Sequence, residues 1–280
     1  MRSDTHSTRE AGFALIAVLI VGGFLALLAA TMARAAHTEG ATTRNLALAA
    51  AARAAADGAV RAAIFDLLTG DGASLPRDGS ERGIRIGEAE ISLSVQDATG
   101  LLDLNTAVPE LLAGLFAVES GSPPLASALV SEVLRRRAPA SGVAAAARRP
   151  ANPFRSVAEL AASAAMPVAL YRRLAPLLTV YSRQAGIDPL TAPHEILLAL
   201  PGSDPGAVAA LLAARADYPA APRQLLPQAA RFFVDSPRDA VQIVATANAG
   251  GVVAERRAIV RILHGARPPY RILEWQPGPS

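Results

Sequence analysis

The sequence contains no cysteine and no lysine, and aromatic residues make up only 4% of its 280 positions. Without cysteine there can be no disulfide bond, no thiolate-ligated metal and no cysteine nucleophile. Because aromatic rings are few, we expect a core built mainly from leucine, valine, isoleucine and alanine. The length is sufficient for one domain of ordinary size with a membrane stalk, or for two small domains.

Excess charge is also scarce. Every cationic side chain apart from the histidines is an arginine, but the formal net charge is only +3. The two clearest clusters, Arg135–Arg137 and Arg148–Arg149, flank a low-complexity stretch and are interpreted as a solvated helix end and a loop. This distribution lacks the dense basic face that phosphate backbones attract, and so it argues against a nucleic-acid partner.

Proline is absent before Pro76, and no charge interrupts the 21 residues from Phe13 to Ala33. A bilayer core of ~30 Å is crossed by ~20 apolar helical residues, so this stretch predicts a membrane span. An apolar stripe of helical period then continues as far as Leu67. We therefore predict one helix from Phe13 to about Leu68, with its first half in the membrane.

Alternating apolar residues predict a small antiparallel sheet in two pieces. The first piece is a hairpin around Gly87-Glu88, and the second lies near the end of the chain, with a turn at Asn248–Gly251. The alternating or apolar segments are Ile84–Ile86, Ile91–Val95, Val241–Ala245, Ala258–Leu263 and Arg271–Trp275.

The segment between the two pieces of sheet has helix-forming composition. Ser156 followed by Glu159 predicts a capping box ahead of the third helix of this region. The predicted helices are Pro109–Val118, Leu125–Arg137, Val157–Ala165, Val168–Leu178, Glu195–Leu200 and Ala207–Arg215.

This helical region contains an internal repeat. The pattern Asp-x-x-Thr-Ala-x-x-Glu-apolar-Leu-x-x-Leu begins at Asp103 and again 85 residues later, at Asp188. In each copy the threonine can cap a helix, a proline lies in or beside the first turn, and the glutamate favours the positive helix end. The repeat predicts two copies of a small helical hairpin.

The second copy continues into a segment, Leu200–Arg215, that resembles a helix-hairpin-helix unit. Such units bind phosphate through free backbone amides at a helix start. Here Asp204 would repel a phosphate, and Pro205 has no amide hydrogen to donate. We therefore interpret this segment as a helical hairpin that keeps the packing of a helix-hairpin-helix unit but does not bind DNA.

No catalytic constellation is visible in the sequence. The histidines do not form a spaced metal-binding pair, and neither a Gly-x-Ser-x-Gly nor a P-loop motif occurs. Loop aspartates lack the Asp-x-Asp-x-Asp spacing of a calcium loop. We therefore expect no enzymatic activity and no cofactor, and we assign no metal ligands.

Gly12 followed by Phe13-Ala14-Leu15-Ile16 resembles the start of a type IV prepilin. The resemblance implies that a prepilin peptidase cleaves after Gly12 and methylates the new amine of Phe13. Most such proteins carry glutamate at the fifth mature position, where this chain has Ala17. Since that glutamate pairs with a neighbouring subunit's terminal amine, a subunit without it suits the tip of a fibre.

Over nearly all of its length, the chain resembles the K-type minor pseudopilins of bacterial type II secretion systems. The resemblance is carried by the prepilin start lacking glutamate, the Asp97–Ala107 stretch, the Thr-Ala repeats and the closing Pro269–Trp275. It implies a pilin-like α+β fold, a long N-terminal helix on a small antiparallel sheet with a large inserted all-α domain containing helix-hairpin-helix-like repeats. The expected division is a leader at 1–12, the pilin helix at 13–69, sheet at 70–96, the α-domain at 97–236 and sheet at 237–280.

The same resemblance implies a function. Such a protein is a single-pass inner-membrane protein with its C-terminal region in the periplasm, and it caps the pseudopilus and helps to initiate it. Expected partners are I- and J-type minor pseudopilins, the prepilin peptidase and the inner-membrane assembly platform, with the secretin and the cargo as further candidates. Family members can bind calcium in the α-domain. The alternatives are a membrane-anchored helix-hairpin-helix protein of DNA uptake and a minor type IV pilin.

Overall fold

In the computed structural model, the first element is one unbroken helix of 63 residues, α1 (Ser7–Thr69). At 1.5 Å per residue it is ~95 Å long. The predicted single helix is confirmed, and it ends within one residue of the expected position. The structure describes residues 7–70, 75–137, 153–163, 165–215, 221–235 and 239–278, without the side chains of 7–17, 29–42 and 221.

A five-stranded antiparallel sheet packs on α1, in the order β1-β2-β5-β6-β7. The predicted hairpin is confirmed, with Ile84 opposite Ile91. The return of the sheet near the end of the chain is confirmed too, since Leu93 on β2 pairs with Ala245 on β5. The strands are β1 (Asp78–Ile86), β2 (Ala89–Asp97), β5 (Ala240–Ala249), β6 (Val252–Ile262) and β7 (Tyr270–Pro277).

A helical region, residues 98–235, lies between β2 and β5 in the chain. It also holds a short parallel pair, in which Leu102 is opposite Leu178, that the sequence analysis did not predict. Its elements are β3 (Leu102–Asp103), α2 (Pro109–Ser120), α3 (Pro123–Arg137), α4 (Val168–Leu174), β4 (Leu178–Thr179), α5 (His194–Leu198), α6 (Pro205–Ala214) and α7 (Ala221–Leu225), with 3-10 turns between them.

Two of the predicted helices are shorter than expected. The helix expected at Val157–Ala165 is a 3-10 helix, Val157–Ala162. The helix expected at Val168–Leu178 ends at Leu174 because Pro176 cannot donate the next helical hydrogen bond, and the chain then enters β4.

The predicted capping box at Ser156 is wrong, because Ser156 makes no capping hydrogen bond. The carboxylate of Glu159 has other partners. It accepts the backbone N–H of Arg155 at 3.2 Å and pairs with the guanidinium of Arg136 at 2.5 Å. The ion pair with α3 therefore replaces the local cap.

Two separate clusters of buried apolar side chains stabilise the fold. One lies between α1 and the sheet, where alanines on the helix allow the strands to approach closely. Its helix side is Ala52, Ala55, Ala56, Ala59, Val60, Ala63 and Ile64, and its sheet side includes Ile91, Leu93, Val95, Val241, Ile243 and Val260. The other lies within the helical region, around Phe116, Leu112 and Leu197.

Candidate functional site

The predicted processing residues lie on α1. Gly12, Phe13 and Ala17 belong to its helical backbone, but their side chains lie outside the described residues. Within the described residues, no helix is both long and apolar enough to cross a bilayer. Of the predicted span, only the side chains of 18–28 are described, and all of them are exposed.

The helical region lies at the end of the sheet that is remote from the first half of α1. The β5–β6 turn lies on the side of the sheet nearer the first half of α1, since a Cβ on Gly250 would lie 3.0 Å from Cδ2 of Leu48, which precedes the buried stretch of α1 that begins at Ala52. The β1–β2 turn lies at the same end of the sheet, because Glu90 beside it pairs with Asn248. The chain enters the helical region after Asp97, at the opposite end of β2.

Both copies of the repeated motif fold in the same way. The Oδ1 atom of Asp103 accepts the backbone N–H of Asn105 at 2.7 Å, and Oδ1 of Asp188 accepts that of Leu190 at 2.9 Å. In each copy the alanine of the Thr-Ala pair donates its N–H to the carbonyl oxygen of the aspartate, at 2.9 and 3.0 Å. The aspartate therefore organises the turn that leads into the helix.

An arginine completes each copy, which the sequence analysis missed. Nη1 of Arg137, the last residue of α3, donates to the carbonyl oxygen of Ala107 at 2.7 Å. Nη1 of Arg215, directly after α6, donates to that of Ala192 at 3.1 Å. The sequence feature that could have predicted these contacts is the arginine at the end of the second helix in each copy.

The predicted threonine caps are wrong. The N-cap positions of α2 and α5 are Val108 and Pro193, and neither makes a side-chain capping bond. Thr106 instead donates its hydroxyl to the carbonyl oxygen of Gln184 at 2.7 Å. Because each threonine lies in the turn before its helix, it stabilises the turn. The helix-hairpin-helix interpretation of the two copies stays a prediction.

The start of α6 is capped by the protein's own carboxylate. Oδ2 of Asp204 accepts the backbone N–H of Ala207 at 3.0 Å, and Pro205 occupies the first turn. One of the free amides that a phosphate would need is thus taken up, and a negative charge lies at that position. This geometry disfavours DNA binding there.

Asp97 is a buried acid at the entrance to the helical region, with no exposed surface. Its Oδ1 accepts the N–H and the hydroxyl of Thr99 at 2.9 and 2.6 Å, whereas Oδ2 has no hydrogen-bond partner among the described residues. Burial raises the pKa of Asp97, the hydrogen bonds from Thr99 and the charge of Arg77 lower it, and the charge of nearby Asp188 adds to the increase.

The part of the chain that the structure describes does not fit a calcium site. No group of three or more histidine, aspartate or glutamate side chains there is placed to hold a metal ion. The calcium expectation therefore has no set of ligands among the described residues.

Together, the long helix, the antiparallel sheet and the helical region inserted between β2 and β5 define an α+β fold. The chain is similar to a chain of the crystal structure of the GspK-GspI-GspJ complex from the enterotoxigenic Escherichia coli type 2 secretion system. The TM-score is 0.53 at 16% identity, over 87% of this chain and 99% of that chain. At this identity the likeness shows the fold, which is GspK-like. No protein-family model and no curated protein matches the sequence.

Proposed function

We propose that this protein is a minor pseudopilin that caps the periplasmic pseudopilus of a bacterial type II secretion system and helps to initiate it. The observation that carries the proposal is the helical region inserted between β2 and β5 of a pilin-like sheet. That fold matches a chain of a solved pseudopilin complex over 99% of that chain's length. The role is structural, with no catalytic step.

The position of the helical region supports the capping role. It lies at the end of the sheet opposite the turn that contacts Leu48. If subunits stack through their long helices with the first half of α1 at the base, this region occupies the space above the sheet. A further subunit would then collide with it, and growth would end there.

The sequence supports a membrane-held precursor. The apolar residues from Phe13 to Ala33 anchor it in the inner membrane, with the sheet and the helical region in the periplasm. A prepilin peptidase cleaves after Gly12 and methylates Phe13. The assembly platform and neighbouring pseudopilins then draw the helix out of the membrane into the fibre.

The proposed direct partners are the I- and J-type minor pseudopilins. The support is the fold likeness to a chain from a complex of GspK with GspI and GspJ. Co-expression of the full chain with I- and J-type proteins and affinity purification should give a complex of all three. Immunogold labelling should then mark one end of each pseudopilus. Elution of this chain alone, or labelling along the whole fibre, would refute the assignment.

Processing provides a second test. In cells with a prepilin peptidase, Gly12→Ala should leave a precursor that migrates more slowly than the mature wild-type chain. Gly22→Ala is the matched control, because it changes a glycine of the same helix whose added Cβ would meet nothing within 4 Å. Normal maturation of the Gly12→Ala variant would contradict the proposed cleavage.

A further inference from the structure

The contact between the helical region and the sheet lies outside both apolar cores. We call this contact the seam. On β2, next to the edge strand β1, Nε2 of Gln96 donates to the carbonyl oxygen of Thr191 at 2.8 Å.

A cleft of about 510 Å³ separates the two parts beside Gln96. Its sheet side includes Ser94, Gln242 and Val244, and its helical side includes Leu177 and Pro193. A second, smaller cleft of about 100 Å³ lies between Tyr171 and Ile259. The seam therefore lacks the continuous apolar packing that fixes two units against each other, and relative motion is the default for such contacts.

Arg261 on β6 also crosses the seam, since its Nη2 donates to the carbonyl oxygen of Tyr181 at 2.6 Å. Two further contacts, each between a pair of side chains, bridge the seam at opposite edges of the sheet. At the β1 edge, Nη2 of Arg215 donates to Oδ2 of Asp78 at 2.6 Å, with the two side chains only 17% and 23% exposed. At the β7 edge, the hydroxyl of Tyr181 donates to Oε2 of Glu274 at 2.9 Å. We call these contacts the edge ties. Both involve a carboxylate, which makes them stronger than neutral hydrogen bonds.

We propose that the two edge ties lock the helical region in one orientation over the sheet, and that loss of the ties lets it shift relative to the sheet. The bonds to the carbonyl oxygens of Thr191 and Tyr181 keep the two parts attached, while the clefts provide the space into which the helical region moves. The inference depends only on the two cores, the clefts and the ties, and it stands whether or not the protein caps a pseudopilus.

The test uses the full chain, which has no native cysteine to compete for labels. Cysteines replace Val253 on the sheet and Val168 on the helical region, which are 62% and 68% exposed, and both receive spin labels. Pulsed dipolar spectroscopy then measures the distance between them. The locked protein should give one narrow distance distribution.

The edge ties are removed by Asp78→Asn and Tyr181→Phe. Asparagine at position 78 keeps an oxygen that accepts the N–H of Ser80 but replaces the carboxylate oxygen facing Arg215 with an amide nitrogen. Phenylalanine at position 181 removes only the hydroxyl that donates to Glu274. The double variant should give a broad distribution or a second maximum. Since one charge-assisted hydrogen bond changes an equilibrium by roughly tenfold, each single variant should show a smaller population of the second distance.

The matched controls break ion pairs that do not cross the seam. Asp235→Asn removes the Arg223 pair within the helical region, and Glu90→Gln removes the Arg85 pair within the sheet. Both should leave the distribution narrow. Circular dichroism confirms that each variant is folded, and the single variants decide the matter if the double variant is not. An unchanged distribution in the folded tie variants would overturn the proposal, as would equal broadening in the controls.

Discussion

The guanidinium carbon of Arg61 on α1 lies 5.6 Å from the ring centroid of Trp275 on the edge strand β7. Arg256 on β6 lies at the same distance from the ring and pairs with Asp57 of α1. The ring thus contacts two arginines from different elements. This arrangement attaches an edge strand directly to the long helix.

Arg61→Ala should therefore weaken the attachment of β7. A cation–π contact at a partly exposed site contributes ~0.5–1 kcal/mol, so we expect a decrease of that size in the free energy of unfolding. Trp275 is the only tryptophan in the chain, and its fluorescence in a urea titration reports the change directly. The control is Arg53→Ala, roughly 12 Å earlier along the exposed side of α1 at 1.5 Å per residue. Equal losses in the two variants would show that the ring contact contributes nothing.

Two helical glycines should respond to alanine with opposite signs. A Cβ on Gly114 of α2 would lie 2.3 Å from the carbonyl oxygen of Ala199, a steric clash. Because that oxygen belongs to the backbone, it cannot rotate away as the end of a flexible side chain could. A Cβ on Gly58 of α1 would lie 3.8 Å from Cδ1 of Ile86, an ordinary contact. The same substitution therefore adds a clash at one site and packing at the other.

We expect Gly58→Ala to raise the free energy of unfolding by ~0.5–1 kcal/mol, because alanine costs less conformational entropy in a helix. Gly114→Ala makes the same gain but adds an overpacking cost of ~1–3 kcal/mol, so a net loss of about 1 kcal/mol is expected. Thermal unfolding followed by circular dichroism measures both variants. A stabilised Gly114→Ala protein would mean that α2 and the chain at Ala199 separate at little cost.

Local periodicity predicted the larger elements of this fold but not the short β3–β4 pair or the helix Ala221–Leu225. The period-two alternation of Ile91, Leu93 and Val95 predicted a strand with one buried face, and the structure confirms it. The absence of proline and the apolar stripe predicted the length of α1. The identical spacing of the two Asp-Thr-Ala motifs predicted two similar turns, and both aspartates accept the same kind of backbone bond.

Contacts between distant residues could not be predicted in the same way. Asp78 and Arg215 are 137 positions apart, and Asp57 and Arg256 are 199 apart. Nothing in the sequence near an arginine indicates which of the many acids will face it after folding. The prediction of threonine caps was wrong for a related reason, since the hydroxyl of Thr106 donates to the carbonyl oxygen of Gln184, 78 positions away. Capping rules treat a helix end in isolation, and tertiary hydrogen bonds override them.

The buried carboxyl of Asp97 predicts a pH dependence of stability. Burial raises the pKa of Asp97 in the folded state above its ordinary value of 3.8, against the opposing hydrogen bonds from Thr99. Because the folded protein holds this proton more tightly than the unfolded chain, the stabilising contribution is complete below pH 3.8. It is lost as the pH rises through the folded-state pKa. Stability arising from Asp97 should therefore fall with rising pH over that interval.

Asp97→Asn removes this ionisation while it keeps an oxygen for the N–H of Thr99. Urea unfolding at a series of pH values should give a difference, wild type minus variant, that decreases as the pH rises above 3.8. Asp235→Asn makes the same substitution at a side chain that is 92% exposed and serves as the control. A difference for Asp97→Asn that increases with pH would indicate an ionised, stabilising Asp97.

The last prediction concerns Ala17, and it rests on the proposed tip position. An unpaired carboxylate costs ~2.5–3.5 kcal/mol at the centre of a membrane helix and less toward its ends, and Ala17 is the fifth of the 21 residues of the predicted span. Ala17→Glu should therefore loosen the precursor's hold on the membrane, measured as the fraction extracted by alkaline carbonate. A tip subunit offers this glutamate no neighbouring terminal amine, so the number of pseudopili initiated should fall as well. Ala17→Gln has nearly the same shape without the charge and should have a smaller effect. If the Ala17→Glu protein initiates as many pseudopili as the wild type, the carboxylate has found a partner, and the subunit is not at the tip.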